Sequence, residues 1–317
     1  MAPLTQWDRL VRYVSAKDGR VRYGEPIVDG EADIDQLAAE GALKVKVLEG
    51  PSALTAAPTG EEDQVKELLG PLTPAEVPIV RCTGLNYKTH SSFSHLHQTM
   101  DNVLYVVLMV RPIVAEAGLD LPAFPTLFIK SRQAVADTRA PLPIPNLGQA
   151  KCDYEGELTI VIGKDAKNVS EAAALDYVAG YVASNDVSCR DWQLDKDKAG
   201  MMPQWSFSKS FDKYAPLGPA IVSARLLGDG SGLPLKTYVN GELRQDSNTT
   251  DLCFGVRKLV SFYSMGQTLE AGSLIMTGTP GGVGAVMQPT PQYLKDGDEI
   301  VVEIGGIGKL RNVMKFE

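Results

Sequence analysis

Three acids in alternating positions, Asp153, Glu155 and Glu157 in CDYEGELTIVIG, carry the strongest chemical signal in the chain. The run TIVI is β-branched and apolar and is followed by a Gly-Lys-Asp turn, which reads as a strand. A strand's period of two puts all three carboxylates on one face. Like charges so placed repel unless water solvates each of them or a cation sits among them, and hard divalent cations take oxygen ligands of this kind. Metal binding is one reading of that face; the solvated outer side of an edge strand is the other. Downstream, the apolar run YVAGYVA leads into SNDVSCRDWQ, an abrupt polar cluster at the end of a second expected strand. Such places favour functional residues. Asp186 adds a further carboxylate there, and Arg190 and Gln193 add fixed donors suited to an anionic, oxygen-rich small molecule.

DYEGEL (153–158), NDVSCRDWQ (185–193), SKSFDKYAPLGP (208–219) and TGTPGGVG (277–284), in that order, resemble the motifs of the fumarylacetoacetate hydrolase family. The resemblance runs from about Pro78 to the C-terminus. It implies a mixed α+β, β-rich fold with a β-roll catalytic domain over residues 76–317; residues 1–75, outside the resemblance, read from their own turn signals as a small N-terminal accessory domain. It also implies a homodimer and a divalent cation held by Glu155, Glu157 and Asp186. Carboxylate-only ligation favours Mg²⁺ or Mn²⁺ over zinc, which prefers nitrogen and sulfur. With Arg190 and Gln193, the resemblance assigns Thr279 to the substrate carboxylate site and Lys130 to the neighbourhood of the substrate entrance. Lys209 is to contact an anionic oxygen; on sequence alone it also reads as an exposed lysine at a strand end.

GLNYKTH (84–90) resembles the family's glycine-x-asparagine-tyrosine motif, in which a histidine four residues past the asparagine helps to activate water. Here that residue is His90, and an unperturbed pKa of about 6.5 suits it to accept a proton near neutrality. Without the family context it reads equally as a surface or capping histidine. The family's partner glutamate normally sits three residues further on, where this chain has Phe93. Removing Ser91 to Ile113 restores the spacing to Glu116, the candidate partner. The insert 91–113 has two readings. It is a lid extension whose VLYVVLMV packs over the site, or a retained in-frame intron that loops out. His95 and His97 within it read as incidental.

The implied chemistry begins with a 2-oxo acid chelating the cation through its carboxylate and adjacent oxygen, so that a Lewis acid stabilises the enolate released when a β carbon–carbon bond breaks. Hydrolysis of an acylpyruvate-like β-diketone is the first expectation. Decarboxylation of an oxaloacetate-like acid, or tautomerisation or isomerisation through the same enolate, is the second. A catalytically silent metal-binding homologue is the alternative of another class.

The elements around these residues read less distinctly. At 317 residues and a formal charge of −8, the chain has ample apolar content for a core and nothing to attract a nucleic acid or an anionic membrane. No apolar run approaches the roughly 20 residues of a membrane-spanning helix, and the opening MAPLTQWDRLVRYV has no secretory core. Cys82, Cys152, Cys189 and Cys253 show no CxxC spacing and read as reduced, which suggests a cytoplasmic location with the mitochondrial interior an open alternative. Turn signals at KDGR, YGEP and VDGE mark a β-rich N-terminal part. VKELLGPL reads as a short helix closed by Gly70 and Pro71. Pro141–Gly148 reads as a proline-rich loop, and Asp195–Gly200 as a charged loop able to serve in a lid. LKTYVNGELRQ is a hairpin around Asn240-Gly241. CFGVRKLVSFYSMGQTL has helical spacing, AGSLIMTGTPGGVG is a strand running into a glycine-rich turn, and the C-terminal stretch is two more strands.

Overall fold

The uncharged β-branched runs build the centre of the molecule. GELTIVI is β10 (Gly156–Ile162) and VAGYVASN is β11 (Val178–Asn185), paired antiparallel with every residue of both buried. The computed structural model describes residues 4–28, 32–87, 123–200 and 202–317. Around the central pair runs an eleven-stranded sheet. On one side β10 meets β16 (Leu274–Met276), which runs parallel to β5 (Val80–Gly84), and β6 (Thr126–Lys130) closes that edge. On the other side β11 meets β13 (Ala215–Ser223), which also takes the two-residue β7 (Val135–Ala136) in parallel.

A second, five-stranded sheet lies against the first. Its order is β15 (Glu242–Asn248), β14 (Pro234–Val239), β17 (Glu299–Ile304), β18 (Gly308–Phe316) and β8 (Pro141–Ile144). Asn240 and Gly241 turn the β14–β15 hairpin with φ of 50° and 80°, the two left-handed residues of a type I′ turn. Leu158, Ile160 and Val182 of the first sheet share one apolar core with Leu235, Val302 and Leu310 of the second. The architecture is the expected β-rich α+β roll. A short ladder of β9 (Cys152–Asp153) and β12 (Ser188–Cys189) sits at the end of the central strands. The helix expected in CFGVRKLVSFYSMGQTL spans Val256–Tyr263, and among the described residues no helix is long and apolar enough to cross a membrane.

The N-terminal strands β1 (Arg9–Ser15), β2 (Val21–Pro26), β3 (Lys44–Glu49) and β4 (Ala57–Leu69) form a closed circuit, since β2 pairs with both β3 and β1. They enclose a small core of their own, with Val11, Tyr13, Val45 and Val65. The circuit is not detached: Arg9 and Leu10 of β1 pair with Val222 and Ile221 of β13. Asp35, fully buried on the helix Ile34–Ala39, receives Arg139 through both carboxylate oxygens and Arg311 through one.

Three expectations change. VKELL is not a helix but the end of β4, because cross-strand pairing with β1 overrides the helical preference of Glu, Lys and Leu. The proline-rich loop contains the edge strand β8, whose parallel pairing with β18 suits prolines at an edge. The charged loop after Asp195 contains a short helix, Lys196–Ala199.

Candidate active site

β10 is central, which removes the solvated-edge reading: Glu155 is 9% and Glu157 1% exposed. Their i, i+2 spacing keeps both on one face. Asp186, just past β11, joins them because the antiparallel register sets Gly156 opposite Asn185. The turn is fixed locally: Asp186 N–H donates to Glu155 O at 2.8 Å, and Glu155 N–H donates to Asn185 Oδ1 at 2.9 Å. Glu155, Glu157 and Asp186 each offer an oxygen within 4.8 Å of the others.

Buried cations surround this cluster. Lys209, at the end of the short helix Trp205–Lys209, lies 2.9 Å from Asp186 Oδ2, 3.0 Å from Glu155 Oε1 and 2.6 Å from Ser188 Oγ, with its ammonium 5.3 Å from the centre of the Phe128 ring. Arg190 Nη1 lies 2.6 Å from Glu155 Oε1 and donates to Gln193 Oε1 at 3.0 Å, while Nε donates to Asp153 Oδ2 at 2.8 Å. Its Nη2 is buried without a hydrogen-bond partner among the described residues. An unmet guanidinium donor beside a carboxylate cluster is the kind of group that an anionic ligand satisfies.

The charges are unevenly compensated. Burial pushes the Glu155 carboxyl up, but Lys209 and Arg190 outweigh it and hold it below the usual range. Burial likewise opposes the charge on Lys209, and Asp186 and Glu155 overcome it, so the ammonium titrates above its ordinary value. Among the described residues Glu157 accepts from the Gly278 N–H, at 2.7 Å, and has no ion-pair partner. Burial, then Asp186 and Glu155, push its carboxyl well above the carboxylate range. A cluster of oxygens in which one carboxylate has no direct ion pair among the described residues fits a hard divalent cation such as Mg²⁺ or Mn²⁺.

The glycine-rich stretch after β16 is held against 153–157 at four of those five residues, in antiparallel order. Gly278 N–H goes to Glu157, Thr279 Oγ1 donates to Gly156 O at 3.0 Å, Tyr154 OH donates to Gly282 O at 2.8 Å, and Gly284 and Ala285 N–H donate to Asp153 at 2.7 and 3.0 Å. Glycine is needed at 282, where φ is 100° and a Cβ would lie 2.0 Å from Arg244 O.

Arg190 and Lys209 thus meet Glu155, Lys209 also meets Asp186, Gln193 joins through Arg190, and Thr279 packs alongside with its hydroxyl turned to the strand. Asp153 does not share their site: it belongs to the β9 ladder and faces Arg190 and the 284–285 amides. Lys130 requires correction as an entrance residue. It is fully buried, its ammonium paired with Asp186 Oδ1 and donating to Tyr214 O at 2.5 Å and Val187 O at 3.3 Å, which leaves nothing to offer a substrate. His90, Glu116 and the insert 91–113 lie outside the described residues. Ser188, in the polar cluster, joins the site through Lys209, and Gln245 joins it although nothing near it in sequence marks it.

Comparison with known proteins points to one family. The model of the fumarylacetoacetate (FAA) hydrolase C-terminal domain matches residues 79–315. A protein from Neonothopanus nambi named caffeoylpyruvate hydrolase is 39% identical over 327 aligned positions, covering 100% of this chain and 96% of that one. One from Xenopus laevis named oxaloacetate tautomerase fahd2, mitochondrial, is 34% identical, covering 96% and 89%. The crystal structure of a 5-carboxymethyl-2-hydroxymuconate delta-isomerase from Mycobacterium smegmatis superposes with a TM-score of 0.72 at 30% identity, covering 98% of this chain and 100% of that one.

Proposed function

The chain belongs to the fumarylacetoacetate hydrolase family, and on that footing we propose that it hydrolyses a carbon–carbon bond in an acylpyruvate-like 2-oxo acid, with Mg²⁺ or Mn²⁺ held by Glu155, Glu157 and Asp186. The observation that carries this reading is the convergence of those three buried carboxylates with the unmet Arg190 Nη2. A bound divalent cation supplies Lewis acidity toward the paired oxygens of a 2-oxo acid and so stabilises enolate charge. Arg190 Nη2 binds an anionic oxygen of the substrate. Gln193 holds the guanidinium plane through Nη1, and Lys209 fixes Asp186 and Glu155 while presenting positive charge to the reacting oxygens. Thr279 borders the substrate carboxylate.

His90, with Glu116 as its partner, removes a proton from water, whose oxygen bonds to the distal carbonyl carbon. The broken bond's electron pair passes to the pyruvate fragment, which takes up the proton, leaving pyruvate and a carboxylic acid. Because similar chains are named hydrolase, tautomerase and isomerase, keto–enol interconversion of an oxaloacetate-like acid is the second reading. It uses the same residues without bond cleavage; decarboxylation of such an acid would draw on them too. Two copies of the chain are expected to associate, which the outward Leu127 and Ile129 of edge strand β6 support, at 37% and 41% exposure.

The test is a panel of acylpyruvates and oxaloacetate with Mg²⁺, each product followed separately. Pyruvate and the matching acid in equal amounts are expected. Interconversion of oxaloacetate forms without acylpyruvate cleavage gives the second reading, and metal binding with no turnover of any substrate identifies a silent homologue. In parallel, calorimetry on Glu155→Ala and Asp186→Ala should show loss of tight Mg²⁺ or Mn²⁺ binding; unchanged affinity in both removes the ligand assignment.

A further inference from the structure

Gly156 stands between the two carboxylate-bearing residues of the metal strand, and the side of the strand it presents faces the second sheet. A Cβ there would lie 2.1 Å from Thr237 Oγ1 and 3.2 Å from Gln245 Oε1, so the space left by glycine is occupied by the β14–β15 hairpin. Gln245, 1% exposed on β15, uses its whole amide at this point. Oε1 accepts from Gly156 N–H at 3.0 Å; Nε2 donates to Thr279 Oγ1 at 2.8 Å and to Pro280 O at 2.9 Å. The orientation of the amide is unambiguous, because Gly156 N–H can only donate and Pro280 O can only accept. Thr279 Oγ1 passes its single hydrogen on to Gly156 O at 3.0 Å.

The Gln245 amide therefore holds both peptide groups that flank the Gly156 Cα, one directly and one through Thr279. Those two planes join Gly156 to Glu155 and to Glu157. Their rotation sets the angle between the two side chains, and with it the distance between the carboxylates. We propose that Gln245 is a positioning residue for the metal centre, acting from the back of the sheet to fix the aim of Glu155 and Glu157 and the rotamer of Thr279. The inference rests on the reading of Glu155, Glu157 and Asp186 as ligands to a divalent cation. Partners that orient ligands from outside the coordination sphere typically contribute about 10–100-fold to metal affinity.

A residue that only stapled the two sheets would change stability and leave metal affinity alone, which supplies the test. Full-length wild type, Gln245→Met, Thr279→Val and the double variant are titrated with Mn²⁺ alone by calorimetry, well below each variant's melting temperature. Gln245→Met is expected to weaken Mn²⁺ binding by about 10–100-fold and Thr279→Val by less. The double variant should match Gln245→Met and not the product of the two, because one residue acts partly through the other. Unchanged affinity in Gln245→Met, whatever its melting temperature, overturns the positioning role while the ligand reading stands. Should Gln245→Met fail to fold, Thr279→Val carries the test, and unchanged affinity there overturns the role equally. A wild-type chain that binds no Mn²⁺ removes the ligand reading, and the positioning role falls with it.

Discussion

Asp186 receives two buried lysines, one on each carboxylate oxygen, and the two differ in what else they touch. Lys130 spends its remaining donors on the Tyr214 and Val187 carbonyls, whereas Lys209 reaches Glu155 and Ser188 on the site side. Removing one member of a buried ion pair leaves the other charge unpaired, at about 3–5 kcal/mol. Lys130→Met should therefore lower the unfolding free energy by about that amount in chemical denaturation; a loss under about 1 kcal/mol would mean that Asp186 is satisfied without it. Lys209→Met, assayed with saturating Mg²⁺, should lower turnover by about 100-fold or more, the scale of losing one donor to a developing anion. Equal turnover would take Lys209 out of the reaction. The two lysines were not distinguishable in the sequence, since each follows an aromatic-rich stretch and only burial separates them. The acids were legible because i, i+2 spacing survives folding unchanged. Asp153 leaves the face that strict alternation expects of it because the short β9 ladder ends before Glu155, a break that nothing in DYEGEL announces.

At the scale of elements, the carboxylate-bearing strand is backed by a hairpin that approaches too closely for any side chain at 156. Gly156→Ala brings a Cβ to 2.1 Å from Thr237 Oγ1, and overpacking of this kind destabilises by about 1–3 kcal/mol. Thr237→Ala in the same chain should recover part of the loss, because the obstructing hydroxyl is itself buried without a hydrogen-bond partner among the described residues. Thermal melts of the single and double variants decide it, and a double variant no better than Gly156→Ala would place the strain elsewhere. The segment between β4 and β5 is held differently, by Glu76, which accepts from Tyr23 OH, Ala53 N–H, and Thr73 N–H and Oγ1. Burial pushes its carboxyl up, but these donors outweigh it and keep it below the usual carboxylate range. A folded pKa below the unfolded value, about 4.3, contributes stability above that value and loses it as pH falls through the folded pKa. The stability gap between wild type and Glu76→Gln should accordingly be wide at pH 7 and narrow by about pH 3; a constant gap would exclude titration of Glu76 as its source. The hairpin was plain in the sequence because Asn-Gly is a local signal. The last turns of β4 were not, since its pairing with β1 depends on residues some fifty positions away.

For the molecule as a whole, residues 1–75 and 76–317 meet through shared β-pairing between β1 and β13 and through the buried Asp35 with its two arginines. The accessory part was visible in the sequence as β-rich, but its attachment was not, because a strand's second partner leaves no mark on its own residues. Light scattering should return twice the mass of the chain, and a single-chain mass would dispose of the expected homodimer. The meshing of 153–157 with 278–285 also dictates where the chain can change length. One residue inserted in either segment would shift the bonds on its far side out of step together, whereas an epitope tag spliced into the exposed turn around Lys17 to Arg20 would disturb none of them. Scanning insertion along the gene should then give a map with two silent gaps, more than a hundred residues apart in sequence and a hydrogen bond apart in space.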